Sequence, residues 1–223
     1  MPIPKTKAPA RETAKDRAYT QIREWIISGT LIPGEKLAEE ALADAINVSR
    51  TPIREALVKL SEDGFVTTAT GRVSRVAPIT ADAAATLYEP IAGVEGVAAK
   101  LAATKATTAD LAALTALEQD YQRAIAGKDV QAMLHADRQI HLQILTIADN
   151  PYLQRLSDLL YGHIQRYETY FFDQLRSSDQ MRGTTHEPLL AALKAKNQVA
   201  AKQAMETDWL ETMTAIAKIT ASK

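Results

Sequence analysis

The segment Glu35–Leu60, EKLAEEALADAINVSRTPIREALVKL, decides how the first part of the chain folds. Its pattern predicts two short helices joined by a tight turn. In the first helix, apolar residues recur at helical spacing and form one face: Leu37, Ala41, Leu42, Ala45 and Ile46. Asn47 favours the left-handed conformation on which many helices end, and Ser49 is a good N-cap residue for the second helix.

The second predicted helix begins with the block Ser49–Leu57, SRTPIREAL. Its inward face consists of Ile53, Ala56, Leu57 and Leu60. The side chains of Arg50, Thr51 and Arg54 then face outward. Helix–turn–helix pairs that bind DNA have this arrangement, with the N-terminal residues of the second helix in the major groove. An ordinary helical hairpin with two solvated arginines fits the same pattern equally well.

The residues after the helix pair indicate a two-stranded hairpin. Gly64 closes the second helix, and two β-branched runs, 65–68 and 72–76, flank Gly71. Such runs around a glycine are typical of a β-hairpin, and beside a helix–turn–helix a hairpin is called a wing. The hairpin therefore favours the DNA-binding interpretation.

Composition and charge limit the classes of protein. The chain has 223 residues and no cysteine. It has no apolar stretch of the ~18 residues that a membrane span needs and no apolar leader, so we expect a cytoplasmic protein with no membrane partner. The first 76 residues carry 12 Lys and Arg against 10 Asp and Glu, whereas the remainder carries 14 against 17. The basic excess lies in the predicted DNA-binding part, which is the expected sign.

The predicted fold is mainly α, with an N-terminal winged helix–turn–helix domain followed by an all-α helical bundle. We expect a disordered tail at 1–10, the winged helix–turn–helix at 11–77, a linker at 78–81 and the helical domain at 82–223. Hydrophobic periodicity predicts six helices in the second part: 81–104, 108–126, 129–148, 151–173, 184–196 and 198–219.

Four polar residues fall on the apolar faces of these helices. Asp137 and His141 are one turn apart, His186 shares a face with leucines, and Asp208 is in phase with Met205. Burying such groups without partners is costly. An imidazole and a carboxylate one turn apart can coordinate a divalent ion. An internal Asp–His hydrogen bond without an ion is the open alternative.

The segments Pro33–Leu37 (PGEKL) and Val48–Leu57 (VSRTPIREAL), together with Gly64 and Gly71, resemble the N-terminal domain of the GntR family of bacterial transcription regulators. The resemblance covers roughly residues 18–76. It implies a winged helix that binds DNA.

The resemblance also implies roles for individual residues. Arg50 and Arg54 contact bases or phosphates with help from Thr51, and Gly71 lets the hairpin tip approach the minor groove. Where some members carry a further DNA-contacting arginine, this chain has Glu39–Glu40. The predicted DNA-binding residues are Ser49, Arg50, Thr51, Arg54, Gly71 and Arg72.

The pattern Asp137-x-x-x-His141, the segment His186–Leu193 and the segment Ala201–Met205 resemble the C-terminal FCD ligand-binding domain of the FadR subfamily. The resemblance implies a divalent ion, Zn or Ni, held by one Asp and three His. Asp208 stands here at the fourth ligand position, where the family has histidine. The predicted metal ligands are Asp137, His141, His186 and Asp208.

The same resemblance implies a small-molecule effector, usually a carboxylic acid bound over the metal. The family often has an arginine in the first bundle helix, four residues before a glutamate. Here Ile91 stands before Glu95. The candidate substitutes are Arg138, His163 and Arg166.

The sequence therefore predicts a ligand-responsive transcription regulator, by family habit a repressor, that binds a palindromic operator as a homodimer. The alternative is a metal-dependent helical-bundle enzyme that uses Asp137, His141, His186 and Asp208. That enzyme would need an open coordination position and a general base, and it leaves the SRTPIREAL block unexplained.

Overall fold

The computed structural model describes residues 12–69, 73–171 and 185–221. The chain divides into two compact units, Met1–Pro78 and Ile79–Lys223. The predicted tail at 1–10 and the hairpin residues Gly71 and Arg72 lie outside the described residues. None of the helices in the described ranges combines the length and the apolar character that crossing a membrane requires.

The described part of the first unit contains three helices and a two-stranded antiparallel sheet. The helices are α1 (Ala14–Ile27), α2 (Glu39–Ile46) and α3 (Arg50–Glu62), and the strands are β1 (Val66–Ala69) and β2 (Val73–Val76). Val66 pairs with Val76 and Thr68 with Ser74. The core of the unit includes Ile22, Ile53, Leu60 and Phe65, which are fully buried. The predicted helix pair with a wing is confirmed.

The first helix of the pair begins later than the sequence suggests. The periodicity predicts helix from about Glu35, whereas α2 begins at Glu39. The backbone N–H of Leu37 donates to the carbonyl of Ser74 at 2.9 Å, and the N–H of Val76 donates to the carbonyl of Glu35 at 2.9 Å. Residues 35–37 therefore run extended beside β2, because the strand supplies backbone partners that a helix would otherwise supply.

The predicted apolar face of this helix is also partly wrong. Ala41 and Ala45 are exposed, whereas Leu42 and Ala43 are buried. Asn47 adopts the predicted left-handed conformation, with φ 57°. Ser49 occupies the N-cap position of α3, but in the described residues its hydroxyl accepts no N–H from that helix.

The second unit is helical in the residues that the structure describes. Its helices are α4 (Ala81–Lys105), α5 (Thr108–Ala126), α6 (Val130–Ala148), α7 (Pro151–Tyr170), α8 (Glu187–Lys194) and α9 (Gln198–Ala221). All six contribute buried side chains to one core. The predicted all-α bundle is confirmed, with helix ends moved by a few residues.

Side-chain caps fix where several of these helices begin. Thr107 and Asp110 form a reciprocal capping box at α5. Asp129 accepts the N–H of Ala132 at the start of α6. Asn150 accepts two backbone N–H groups at the start of α7. Each cap satisfies donors that the first turn of a helix leaves without partners.

Helix α4 positions the candidate metal centre. It packs against α6, α7 and α9, and its residues Ile91, Ala98 and Ala99 are fully buried. Polar side chains on the inner faces of the neighbouring helices therefore meet beside α4.

Candidate functional site

The predicted DNA-contacting residues of α3 lie on the surface of the first unit. Ser49, Arg50, Thr51 and Arg54 are all exposed at the N-terminal end of the helix. The opposite face of α3 is buried against the core, with Ile53 fully enclosed. The core thus fixes the helix while its polar edge faces solvent.

Each of the two arginines is paired with a glutamate from α2. Nε of Arg54 donates to Oε2 of Glu39 at 2.6 Å, and Nη2 of Arg50 forms an ion pair with Oε1 of Glu40. The side chains of Arg50 and Arg54 are 53% and 65% exposed. Ion pairs this exposed stabilise a fold by at most about 1 kcal/mol, so stability does not explain their presence.

The four predicted metal ligands converge in the second unit. His141 Nε2 lies 3.3 Å from Asp208 Oδ2 and 3.8 Å from Asp137 Oδ2. His186 Nε2 lies 3.3 Å from Asp137 Oδ1 and 3.9 Å from Asp208 Oδ2. One ligand atom from each residue lies within 4.8 Å of the other three. His141, His186 and Asp208 are buried, and Asp137 is partly exposed.

A second carboxylate holds the other nitrogen of each imidazole. His141 Nδ1 lies 2.5 Å from Glu95 Oε2, and His186 Nδ1 lies 2.7 Å from Glu118 Oε2. Carboxylates in this position fix the Nδ1–H tautomer and direct the Nε2 lone pair outward, as they do in metal sites.

Glu95 also joins several helices. It lies on α4 and accepts hydrogen bonds from Ser157 of α7 at 2.6 Å and from Trp209 of α9 at 3.1 Å. Together with its contact to His141 of α6, the Glu95 carboxylate is therefore hydrogen-bonded to side chains from three neighbouring helices.

The electrostatics of the cluster favour a cation at its centre. Burial alone would lower the pKa of His186, but its interactions with Asp137 and Glu118 raise it to about 9. The pKa of His141 also lies well above its ordinary value, because the negative charges of Glu95 and Asp137 outweigh desolvation. Without an ion, protons on the imidazoles offset the acidic charge. A divalent ion would displace the protons on Nε2.

Unsatisfied polar atoms provide a test of whether an ion fits. His186 Nε2 and Asp208 Oδ1 are buried and have no hydrogen-bond partner among the described residues. Buried polar atoms are normally paired. Imidazole nitrogens and carboxylate oxygens are ligands for Zn and Ni, so the residues present fit a divalent ion.

The three candidate effector-binding residues have different environments. The Arg138 guanidinium lies 3.7 Å from the centroid of the Tyr161 ring and bonds to Asp158 at 3.1 Å. Its Nη1 is 3.9 Å from Glu95 Oε1. Arg166 is buried, and desolvation lowers its pKa. His163 is partly buried. Of the three, Arg138 is the one with a described contact to Glu95, the carboxylate that bonds to His141.

Periodicity did not identify the supporting carboxylates. In the sequence, Glu95 stands only as a point of alignment with the family, and the helical pattern assigns no role to Glu118. Both are acids inside apolar runs: Glu118 is in phase with Leu114 and Tyr121. An acid on a buried helix face needs a partner, and that rule was the available signal.

An exposed helix that presents two arginines beside a β-hairpin, in one chain with a helical unit that holds a buried His–carboxylate cluster, is typical of DNA-binding regulators with a separate effector-binding domain. Residues 14–76 match the family described as "Bacterial regulatory proteins, gntR family", and residues 86–209 match the FCD domain. The chain belongs to the GntR family of transcription regulators and carries a C-terminal FCD domain. It is not an enzyme.

Individual relatives agree with this assignment. The chain is 28% identical over 190 residues to the uncharacterized HTH-type transcriptional regulator YdhC of Bacillus subtilis (strain 168), covering 83% of each protein. It is 29% identical over 215 residues to the Glc operon transcriptional activator of Escherichia coli (strain K12), covering 83% of this chain and 84% of that one. The solved structure of E. coli McbR/YncC has a TM-score of 0.71 at 22% identity, covering 92% of this chain and 98% of that one. That likeness shows the fold.

Proposed function

We propose that the regulator binds a palindromic operator as a homodimer and that a small carboxylic acid, bound at a divalent ion in the FCD domain, changes its affinity for DNA. The observation that carries the proposal is the convergence of Asp137, His141, His186 and Asp208. In both histidines, a carboxylate bonds to the Nδ1 atom, which leaves Nε2 for an ion. Acting on chromosomal DNA, the protein would work in the cytoplasm.

The proposed DNA contacts come from α3 and the wing. Arg50 and Arg54 are proposed to contact bases or phosphates, Ser49 and Thr51 to contact the backbone, and Gly71 with Arg72 to place the hairpin tip against the minor groove. The exposure of the four α3 residues supports this. The Ser49 hydroxyl is not used to cap the helix, so it can donate to a phosphate oxygen.

The proposed ion is Zn or Ni, held by Asp137, His141, His186 and Asp208. When bound, it would act as a Lewis acid that attracts a carboxylate. Asp208 in place of histidine makes the ligand set more anionic and less selective for softer ions. Elemental analysis of untagged protein purified without chelator is expected to find one ion per chain. A protein without a stoichiometric ion would contradict the proposed metal site.

Asp208→His provides a sharper form of this test, because it restores the ligand that the family pattern has. We expect the variant to bind Ni more tightly than the wild type in a competition titration with a metal indicator. Glu211→His, on the same helix and outside the cluster, is the matched control. Equal affinity in all three proteins would exclude Asp208 as a ligand.

Arg138 is the proposed partner of the effector carboxylate, in place of the arginine that Ile91 replaces. Its Nη1 is buried and makes no hydrogen bond among the described residues, so a carboxylate oxygen can accept from it. His163 and Arg166 remain secondary candidates. We expect small carboxylic acids to raise the melting temperature of wild-type protein and to have little effect on Arg138→Ala. Arg155→Ala, an exposed arginine on α7, serves as control.

The homodimer is proposed because one recognition helix covers only a few base pairs, whereas a two-fold protein reads two half-sites. The candidate dimer surface is on α7, where three apolar side chains are exposed: Tyr152, Leu156 and Leu159. We expect light scattering to report a dimer that Leu156→Glu weakens. Gln165→Glu adds the same charge on the opposite side of α7, so it is expected to remain dimeric. A wild-type monomer on operator DNA would contradict the proposal.

A hydrogen bond supports a route from the effector to the DNA-binding unit. Tyr167 of α7 donates to the carbonyl of Thr80 at 2.9 Å, and Thr80 lies two residues after the first unit ends. A ligand that moves α7 would thereby move the linker.

Repression remains the predicted direction of regulation. A reporter gene placed behind the operator tests it, because deletion of the regulator should then raise expression of the reporter.

A further inference from the structure

The two proposed recognition arginines are held in different ways. Arg54 uses Nε to contact Glu39, whereas Arg50 uses the terminal Nη2 to contact Glu40. Both glutamates belong to the first turn of α2. The two arginines stand one helical turn apart on α3 and are similarly exposed. The difference therefore concerns which edge of each guanidinium remains available to DNA.

The contact with Glu39 leaves the outer edge of Arg54 available. A guanidinium recognises guanine by donating two parallel hydrogen bonds to O6 and N7. The Nη1–Nη2 edge makes this contact end-on. In the part of the chain that the structure describes, the Arg54 contact occupies Nε and so holds the plane of the group without using that edge. Glu39 is partly shielded, with 34% of its side chain exposed, which suits a supporting role.

The contact with Glu40 has the opposite effect on Arg50. It occupies a terminal nitrogen, so Arg50 cannot offer its full outer edge to DNA while the pair persists. Glu40 is 73% exposed. The first helix of a helix–turn–helix crosses the DNA backbone, where a carboxylate repels phosphate and competes with it for the same arginine.

We infer that Glu39 and Glu40 give the two arginines different roles. Glu39 positions Arg54 for end-on contact with one guanine in each half-site. Glu40 competes with phosphate for Arg50 and so weakens binding to DNA of any sequence. The inference rests on the proposed function, because it requires α3 to lie in the major groove. It assigns sequence specificity mainly to Arg54 and the salt dependence of binding partly to Glu40.

The test uses Glu39→Gln and Glu40→Gln in the full-length protein. Both changes keep the size of the side chain and remove its charge at an exposed or partly exposed position, so folding is retained and is checked by thermal denaturation. Glu62→Gln, an exposed acid at the far end of α3, removes the same charge as a matched control. The DNA probes are a footprinted operator from DNA flanking the gene, its single-guanine substitutions and a scrambled duplex, titrated at several salt concentrations.

For Glu39→Gln we expect the preference for guanine at one position of each half-site to fall about fivefold, the upper end of what an exposed pair contributes. Discrimination at the other positions and the salt dependence should not change. For Glu40→Gln we expect affinity for operator and scrambled DNA to rise together, about threefold to fivefold. The slope of log affinity against log salt should steepen by about one, since one more phosphate is neutralised.

The outcomes separate the inference from the function beneath it. A wild type that does not prefer the operator, or that binds it as well as Arg54→Ala does, overturns the proposed function and this inference together. If wild type prefers the operator and Arg54→Ala loses it, while Glu39→Gln and Glu40→Gln both behave like Glu62→Gln, the inference alone is overturned. A Glu40→Gln variant that binds all DNA more weakly than the wild type would also overturn the inference alone.

Discussion

The two candidate sites are built in opposite ways. The predicted DNA-contacting residues that the structure describes, Ser49, Arg50, Thr51 and Arg54, come from one short stretch at the start of α3 and are exposed. Two of them, Arg50 and Arg54, form ion pairs with glutamates of α2 in contact with water. The cluster around His141 gathers side chains from α4, α6, α7 and α9 and is buried. Charges in water can be rearranged at little cost, whereas buried charges must be matched within the fold. We therefore expect changes at the first site to alter binding and changes at the second to alter stability as well.

The largest effect is expected from Glu95→Ala. The change leaves His141, Ser157 and Trp209 without their shared acceptor inside the second unit. Breaking a buried pair by removing one partner costs about 3–5 kcal/mol. Chemical denaturation should show this loss in the free energy of unfolding. Glu89→Ala removes an exposed acid from the same helix and should leave stability almost unchanged. Equal stability of both variants would mean that Glu95 does not support the cluster.

Removal of the proposed ion should have the next largest effect. At a free ion concentration about 100 times the dissociation constant, bound ion adds about 2.7 kcal/mol of stability. A chelator should therefore lower the melting temperature by several degrees. His141→Ala should show no such shift, whereas His135→Ala, an exposed histidine on the same helix, should retain it. A chelator response that survives in His141→Ala would place the ion elsewhere.

Arg54→Ala should separate binding from stability. If Arg54 contacts a base with two hydrogen bonds, its loss should weaken operator binding by about 1–3 kcal/mol. The free energy of unfolding should change by less than about 0.5 kcal/mol, as at other surface positions. Fluorescence anisotropy and chemical denaturation measure the two quantities. Arg123→Ala, which removes an exposed, ion-paired arginine from the second unit, should affect neither. Unchanged operator binding in Arg54→Ala would remove α3 as the recognition helix.

The smallest effect compares two helix caps. Asn150 accepts two N–H groups of α7, so Asn150→Ala should cost about 1 kcal/mol of stability. Ser49 accepts none from α3 among the described residues, so Ser49→Ala should cost clearly less while weakening DNA binding. Thermal denaturation with parallel DNA titrations gives both values. A larger loss of stability in Ser49→Ala would show that its hydroxyl caps the helix in solution.

The two sites also differed in how far the sequence could predict them. The helix pair depends on neighbours along the chain, so periodicity, Asn47 and the block Ser49–Leu57 were enough to place α3 with its charged side outward. The start of α2 was missed because residues 35–37 bond to β2, which is a contact between segments about 40 positions apart. Local propensity carries no information about such a partner.

In the second unit the helices and the inward polar residues were predictable, since helical phase places Asp137, His141, His186 and Asp208 on apolar faces. Their supporting partners were not. Glu95 lies 46 positions before His141, and Glu118 lies 68 positions before His186. Which acid meets which imidazole depends on how the helices pack, and that packing is a property of the folded bundle.

The three donors that share Glu95 restrict what could replace it. A glutamine there would have the same shape, and with its carbonyl oxygen at the Oε2 position it would still accept from His141 and Trp209. Its amide nitrogen would then face the Ser157 hydroxyl, which can accept as well as donate. What a neutral residue of matching size would remove is the negative charge that raises the pKa of His141, so at this position charge counts for more than shape.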